Sequence, residues 1–229
     1  MMSRFKDRHE AGLRLAESLF YDPRLKELTN LAILGLPRGG VPVAYELAKM
    51  FRAELGVIVT RKLGVPGHEE LAFGAIGPEG VRVLDDDIMR DCGVTKKEVE
   101  DIVLRETHEL KRRQLLYQGR LDSAKIRGRS VIVVDDGIAT GATMKAAVMA
   151  VRKLGAAKVI VAVPVGPQDA RQRLGSSVDD YYCLQSPALF SSVGEWYQDF
   201  SQTSDEEVLE CLRPMQEIEL NKSSPVVPV

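Results

Sequence analysis

The stretch VIVVDDGIATGATM, residues 131–144, decides the fold. Its first four residues, Val131 to Val134, are continuously apolar, the pattern of a strand covered on both faces. Asp135 and Asp136 follow. Gly137, Ile138, Ala139, Thr140 and Gly141 make a short loop, and Ala142, Thr143 and Met144 open a helix. In an open parallel sheet, ligands sit beyond the carboxyl ends of the strands, where this loop falls. The start of a helix presents free N–H groups and partial positive charge. The hydroxyls of Thr140 and Thr143 add donors.

These features suit a monophosphate. Two carboxylates facing that phosphate would repel it. They suit neighbouring hydroxyls, which donate to carboxylate oxygens, or a hydrated divalent cation. A ribose 5-phosphate group, with its phosphate close to a vicinal diol, meets both demands. The bland alternative is a solvated strand-to-helix turn in which Asp is merely a good turn former, but the full order of strand, Asp-Asp, Gly, Thr-Gly and Thr is specific. Other phosphate motifs fit less well. A Walker A loop needs a Lys that is missing, and no dinucleotide-binding GxGxxG is present.

Strand and helix signals alternate on either side. Strands are expected at 31–36, 54–63, 81–84, 130–135, 158–163 and 180–184, and helices at 7–20, 42–51, 96–118, 141–154 and 167–174. Residues 64–80 hold five glycines and two prolines and read as loop or short strands. Thr95 and Glu98 match a capping box at the head of a long charged helix. Residues 86–120 read as a helical insertion, too short for a core of their own. Asp85, Asp86 and Asp87 read as a turn and helix N-terminus, with a metal site as the alternative. The expected architecture is α/β, a doubly wound, mainly parallel sheet with a helical insertion and a small hood region. Residues 1–215 are expected to form one domain, and 216–229, rich in Pro and Ser, a disordered tail.

Bulk properties agree. The 229 residues suffice for a full core, and a net charge of −2 argues against a generic polyanion binder. Three scattered cysteines form no zinc spacing and suit a reducing cytoplasm. The charged, amphipathic start has no signal-peptide core, and no apolar run is long enough to span a membrane.

The residues Val131 to Met144 resemble the phosphoribosyl-diphosphate signature of the type I phosphoribosyltransferases, and the order of elements extends the resemblance over roughly 30–185. The resemblance implies transfer of the 5-phosphoribosyl group from phosphoribosyl diphosphate to a small, nucleobase-like acceptor, with release of pyrophosphate and with Mg2+ as cofactor. Asp135 and Asp136 would contact the ribose hydroxyls directly or through magnesium and water, and Ala139 to Thr143 would bind the 5-phosphate. In the segment GLPRGG, Pro37, Arg38, Gly39 and Gly40 would form a pyrophosphate loop of unusual peptide geometry. Bottom-up, the glycines let N–H groups approach an anion and Arg38 offers a bidentate fork. Arg61 and Lys62, taken as the end of the second strand, are expected to belong to a mobile loop over the site, or else to be two exposed cations. The catalytic set is then Arg38, Lys62, Asp135 and Asp136. A homodimer would be ordinary for the family.

One departure matters. Many purine salvage members carry an Asp where this chain has Ala139, so the general base is unassigned; Glu69 and Glu70 are candidates, and His68 lies in the same segment. Trp196, Tyr197 and Phe200 suit either stacking on a flat acceptor or packing. The competing reading is a non-catalytic regulator that senses phosphoribosyl diphosphate or a nucleotide, with RNA contacts through the basic residues of 105–129. A hydrolase is disfavoured, since there is no GxSxG and no Cys–His arrangement.

Overall fold

A computed structural model describes residues 3–26, 28, 30–117 and 125–213. The expected tail at 216–229, the last residue of the expected helix 96–118 and Arg120 fall outside the described residues, as does the side chain of Glu70.

The main sheet has five parallel strands: β1 (Leu31–Gly35), β2 (Glu54–Val57), β6 (Ser130–Val134), β7 (Lys158–Val165) and β8 (Asp180–Gln185), in the order β2-β1-β6-β7-β8. Alternate residues feed two cores. Ile33, Ile132 and Ile160 face α1 (Arg8–Phe20) and α3 (Gly40–Phe51), while Leu34, Val133 and Val161 face α6 (Ala142–Lys153) and α7 (Ala170–Leu174). Burial on both faces is why these strands are apolar throughout. A helical turn at Pro23–Lys26 (α2) precedes β1, and residues 205–213 are helical, with Val208, Cys211 and Leu212 in the first core.

The region 54–84 differs from expectation. The strand expected at 54–63 is two strands in different sheets. The chain leaves the main sheet after Val57, with Ile58 N–H on Gly35 carbonyl as the last tie at 3.1 Å. It then enters an antiparallel sheet of β3 (Arg61–Val65), β4 (His68–Gly77) and β5 (Val81–Leu84). The glycines that read as loop sit inside that sheet. A Cβ on Gly74 would lie 2.3 Å from the Val83 carbonyl, so glycine there permits close strand approach. The end of β4 rests on α6, where a Cβ on Gly77 would meet the Ala146 carbonyl at 3.3 Å.

The insertion holds two helices, α4 (Asp86–Asp91) and α5 (Lys96–Leu116). Asp85 caps α4 by accepting from the N–H groups of Asp87 and Ile88, which gives the acidic run its turn-and-helix role. The capping box is present: Thr95 Oγ1 accepts from Glu98 N–H while the Glu98 carboxylate accepts from Thr95 N–H. Val99, Ile102, Val103 and Leu110 of α5 join the first core, so the insertion is packed into the domain. Among the described residues no helix is long and apolar enough to cross a membrane.

Arg129 fastens the entry edge of the sheet. It donates to the Leu31 carbonyl at 2.7 Å and pairs with Glu54 of β2, which also pairs with Lys125 at 3.3 Å. Burial works to raise the Glu54 pKa, but Arg129 and Lys125 outweigh it and hold it below the usual range. A depressed carboxylate pKa stabilises the fold above the unfolded pKa and ceases to do so as pH falls through the folded value. Glu54→Gln is therefore expected to cost about 1–2 kcal/mol in urea unfolding at pH 7, with the gap from wild type closing below about pH 4.

Candidate active site

The strand order creates a topological switch point. From β1 the chain runs through α3 to β2 on one side, and from β6 it runs through α6 and α7 to β7 and β8 on the other. Because β1 and β6 are neighbours, the loops leaving their carboxyl ends diverge and open a crevice, the usual ligand position in such sheets. The two loops are Leu36–Gly39 and Asp135–Gly141, the segments singled out in the sequence.

The first loop is packed against the second. Leu36 N–H donates to the Val134 carbonyl at 2.9 Å. A Cβ on Gly40 would lie 2.7 Å from the Val134 carbonyl and 2.8 Å from Asp135 Cα; one on Gly39 would lie 2.0 Å from Asp136 Oδ2. The glycines thus serve a purpose the sequence did not disclose, seating their loop on the carboxylate pair. Gly40 N–H is turned inward to the Leu36 carbonyl and Val41 N–H to Arg38, so the expected offer of the Gly40 N–H to an anion is corrected. The N–H groups of Arg38 and Gly39 carry none of these internal bonds. The Pro37–Arg38 peptide is cis, the unusual geometry the resemblance implied. Arg38 is half-buried and close enough to Tyr117, at the end of α5, to pull against the upward shift that burial and Asp205 give that phenol.

The second loop is anchored by Ile138, whose N–H donates to the Val165 carbonyl at 3.0 Å. Ala139 and Thr140 are exposed, and Arg173 steadies the turn through the Ala139 carbonyl at 3.1 Å. Gly141 caps α6 with φ of 87°, a left-handed conformation that suits glycine. Among the described residues no side chain caps this helix, and no acid stands in its first turn, so its leading N–H groups face the loop mouth.

Asp135 and Asp136 sit between these loops. Asp135 Oδ1 accepts the N–H of Asp136 at 2.9 Å. Burial, with the neighbouring Asp136, pushes the Asp135 pKa well up; burial also raises that of Asp136, against the pull of Arg8. Such a pair is poised to receive a cation or hydroxyl donors. Among the described residues no three His, Cys, Asp or Glu side chains converge as a metal cage. Two hard carboxylates do fit magnesium, which takes one or two protein carboxylates and completes its shell with water and substrate phosphate oxygens.

Two contacts at the pair went unread in the sequence. Arg8 Nε donates to Asp136 Oδ2 at 2.8 Å, and the Tyr197 hydroxyl donates to the Asp136 carbonyl at 2.6 Å. Two segments remote in the sequence meet here: Phe5 N–H donates to the Trp196 carbonyl and Gln198 N–H to the Phe5 carbonyl, both at 2.8 Å. Tyr197 is buried, with its ring centroid 5.1 Å from that of the exposed Phe200, so packing takes up one of the three aromatics considered for acceptor stacking.

Arg61 and Lys62 require a correction. They open β3 rather than end a strand of the main sheet or lie in a loop; Arg61 pairs with Glu106 of α5 at 2.7 Å, and Lys62 is exposed. The tip between β3 and β4 is exposed at Pro66 to Glu69, His68 included. Several cations of the basic stretch 105–129 are engaged in ion pairs, although they outnumber their carboxylate partners. Arg105 pairs with Glu106, Arg112 and Arg113 with Glu109, and Lys125 and Arg129 with Glu54.

Gly40→Ala is expected to lower stability by about 1–3 kcal/mol, since backbone must move to admit the methyl group. Gly39→Ala is also expected to cost about 1–3 kcal/mol, because its methyl would have to displace the Asp136 carboxylate from Arg8; urea denaturation of both variants checks this.

The chain is similar to known proteins of one family. Residues 7–203 match the family described as the phosphoribosyl transferase domain. Two Mycobacterium tuberculosis proteins, from strains CDC 1551 and H37Rv, carry the provisional name phosphoribosyl transferase. Each is 48% identical over 210 residues, 91% of this chain and 46% of theirs. The chain thus spans about half the length of the curated relatives it matches. The crystal structure of TT1426 from Thermus thermophilus is 40% identical, with a TM-score of 0.74 over 93% of this chain and 99% of that one. A shorter match, 46% identical over 57 residues, links 24% of this chain to 20% of the ribose-phosphate pyrophosphokinase of Pyrococcus furiosus. The chain belongs to the phosphoribosyl transferase domain family.

Proposed function

We propose that this protein transfers the 5-phosphoribosyl group of phosphoribosyl diphosphate to a small, nucleobase-like acceptor and releases pyrophosphate. The observation that carries the reading is the juxtaposition at the switch point: Asp135 and Asp136 lie against the Pro37–Gly40 loop and lead directly into the uncapped start of α6. The short match to a ribose-phosphate pyrophosphokinase, whose name joins ribose phosphate to pyrophosphate, is in keeping with such a ligand.

Each part of the donor then has a place. Thr140 to Thr143 and the α6 N-terminus hold the 5-phosphate through N–H and hydroxyl donors. Asp135 and Asp136 face the ribose hydroxyls. Arg38, with the Arg38 and Gly39 N–H groups that have no partner among the described residues, faces the diphosphate; the fork of a guanidinium suits phosphate oxygens. Magnesium, when bound, supplies positive charge to the leaving diphosphate. The acceptor bonds to C1 as the C1–O bond to diphosphate breaks, and the diphosphate departs with the electron pair. Positive character at C1 is matched by the carboxylates, and charge on the diphosphate by Arg38. Lys62 would take part only if the β3–β4 hairpin closes on the site. Ala139 supplies no general base, and Glu69, at the exposed hairpin tip, would need the same closure.

The test is magnesium-dependent release of pyrophosphate from phosphoribosyl diphosphate across a panel of nucleobases and related heterocycles. At least one acceptor should accelerate release, and Arg38→Ala should lower turnover by about 10–1000-fold while leaving the affinity for ribose 5-phosphate nearly unchanged. Tight donor binding without release for any acceptor would favour a sensor over an enzyme.

A further inference from the structure

Arg8 opens α1, far along the chain from both loops, yet its side chain ends between them. Its Nε donates to Asp136 Oδ2 at 2.8 Å, its Nη1 donates to the Ser201 carbonyl at 2.6 Å, and its guanidinium lies 4.1 Å from the centre of the Phe200 ring. The space that Gly39 leaves empty is where the pair meets: a Cβ there would stand 3.0 Å from Arg8 Nε as well as 2.0 Å from Asp136 Oδ2. Only 11% of the Arg8 side chain and 15% of that of Asp136 are exposed. This is a cation held on three sides, unlike the solvated pairs of the outer helices.

Tyr197 fixes the other end of the same residue through the Asp136 carbonyl. Asp136 is therefore held at side chain and main chain alike. Asp135 is held differently. Its Oδ1 takes the neighbouring N–H, and among the described residues no side chain donates to it. Adjacent carboxylates repel when both are charged, and a cation beside one relieves that repulsion.

We propose that Arg8 is a positioning residue, which takes Asp136 as its counter-charge and leaves Asp135 as the carboxylate that receives the ribose diol. The inference rests on the ribose-phosphate reading above, and it divides roles that the sequence motif leaves undivided. Arg8 and Asp136 act as one unit. The benefit of that unit is felt by a ligand that carries the diol, not by the phosphate, which is held at the start of α6.

The experiment compares ribose 5-phosphate with 2-deoxyribose 5-phosphate, each titrated calorimetrically with magnesium into wild type, Arg8→Ala, Arg8→Lys, Asp135→Asn, Asp136→Asn and the Arg8→Ala/Asp136→Asn double variant. Thermal melting checks that each is folded. Arg8→Ala should bind ribose 5-phosphate about tenfold more weakly, while 2-deoxyribose 5-phosphate changes by less than about twofold. Arg8→Lys keeps the charge but not the two-point hold, so it should show the same selective loss to a smaller degree; it carries the test if the alanine variant does not fold. The double variant should bind no more weakly than Asp136→Asn alone, since members of one unit are not additive. Asp135→Asn should abolish the preference for the diol. Equal losses for both sugars in the Arg8 variants, or additive losses in the double variant, would overturn the proposal. A wild-type protein that binds neither sugar phosphate nor phosphoribosyl diphosphate would instead withdraw the ribose-phosphate reading, and the proposal with it.

Discussion

The contact on which the rest of the site depends is a close approach of the turn after β1 to the end of β6: a Cβ at position 40 would meet the backbone of Val134 and Asp135, and one at position 39 the Asp136 carboxylate, so neither is admitted without a shift. Close packing leaves no slack for a methyl group at such a contact. Two loops that start on adjacent strands and run to opposite sides of the sheet are thereby joined at their bases and parted at their tips. The carboxylates stand in the seam, and the start of α6 opens on one side of it. The chemistry of the site follows from this seam, because charged groups must be held where they cannot relax if they are to act on a bound ligand.

Electrostatics makes the arrangement costly without help. Two neighbouring acids in shielded surroundings are pushed toward protonation by burial, and Asp136 adds to that push on Asp135. The protein answers with partners drawn from outside both loops. Arg8 comes from the first helix, and Tyr197 from the segment that pairs with Phe5. That bridge gives two segments remote in the sequence a share in the site, although neither contains a phosphate-binding motif. The remaining cation needed for a diphosphate is on the PRGG loop itself, where Arg38 makes no side-chain hydrogen bond or ion pair among the described residues.

Much of this was legible in the order of residues. Strands buried on both faces announce themselves by unbroken apolar runs, which is why β1, β6 and β7 were placed to within a residue or two, and a strand followed by Asp-Asp and Thr-Gly names its own position at a helix start. Capping chemistry is local, so the box at Thr95 and Glu98 and the cap at Asp85 were equally readable. What failed had a common cause. Glycine has one spelling for two purposes, a loose turn and a close approach, and residues 64–80 used it for the second. Gly39 and Gly40 read as close-approach glycines, but toward an anion, whereas what they approach is the segment Val134 to Asp136. Arg61 looked like the end of a long strand because nothing in ELGVIVTRKL marks the point where the chain changes sheet. Arg8 was out of reach for another reason: its partner lies 128 positions away, and no periodicity reports a contact at that separation.

The central claim is that Asp135, Asp136 and the loop leading into α6 form a ribose-phosphate site. Calorimetric titration of phosphoribosyl diphosphate with magnesium into the wild-type protein and the Asp135→Asn/Asp136→Asn variant tests it most directly. The account predicts saturable binding to the wild type that is lost in the folded double variant. Equal affinity in the two proteins, or no binding to either, would contradict it.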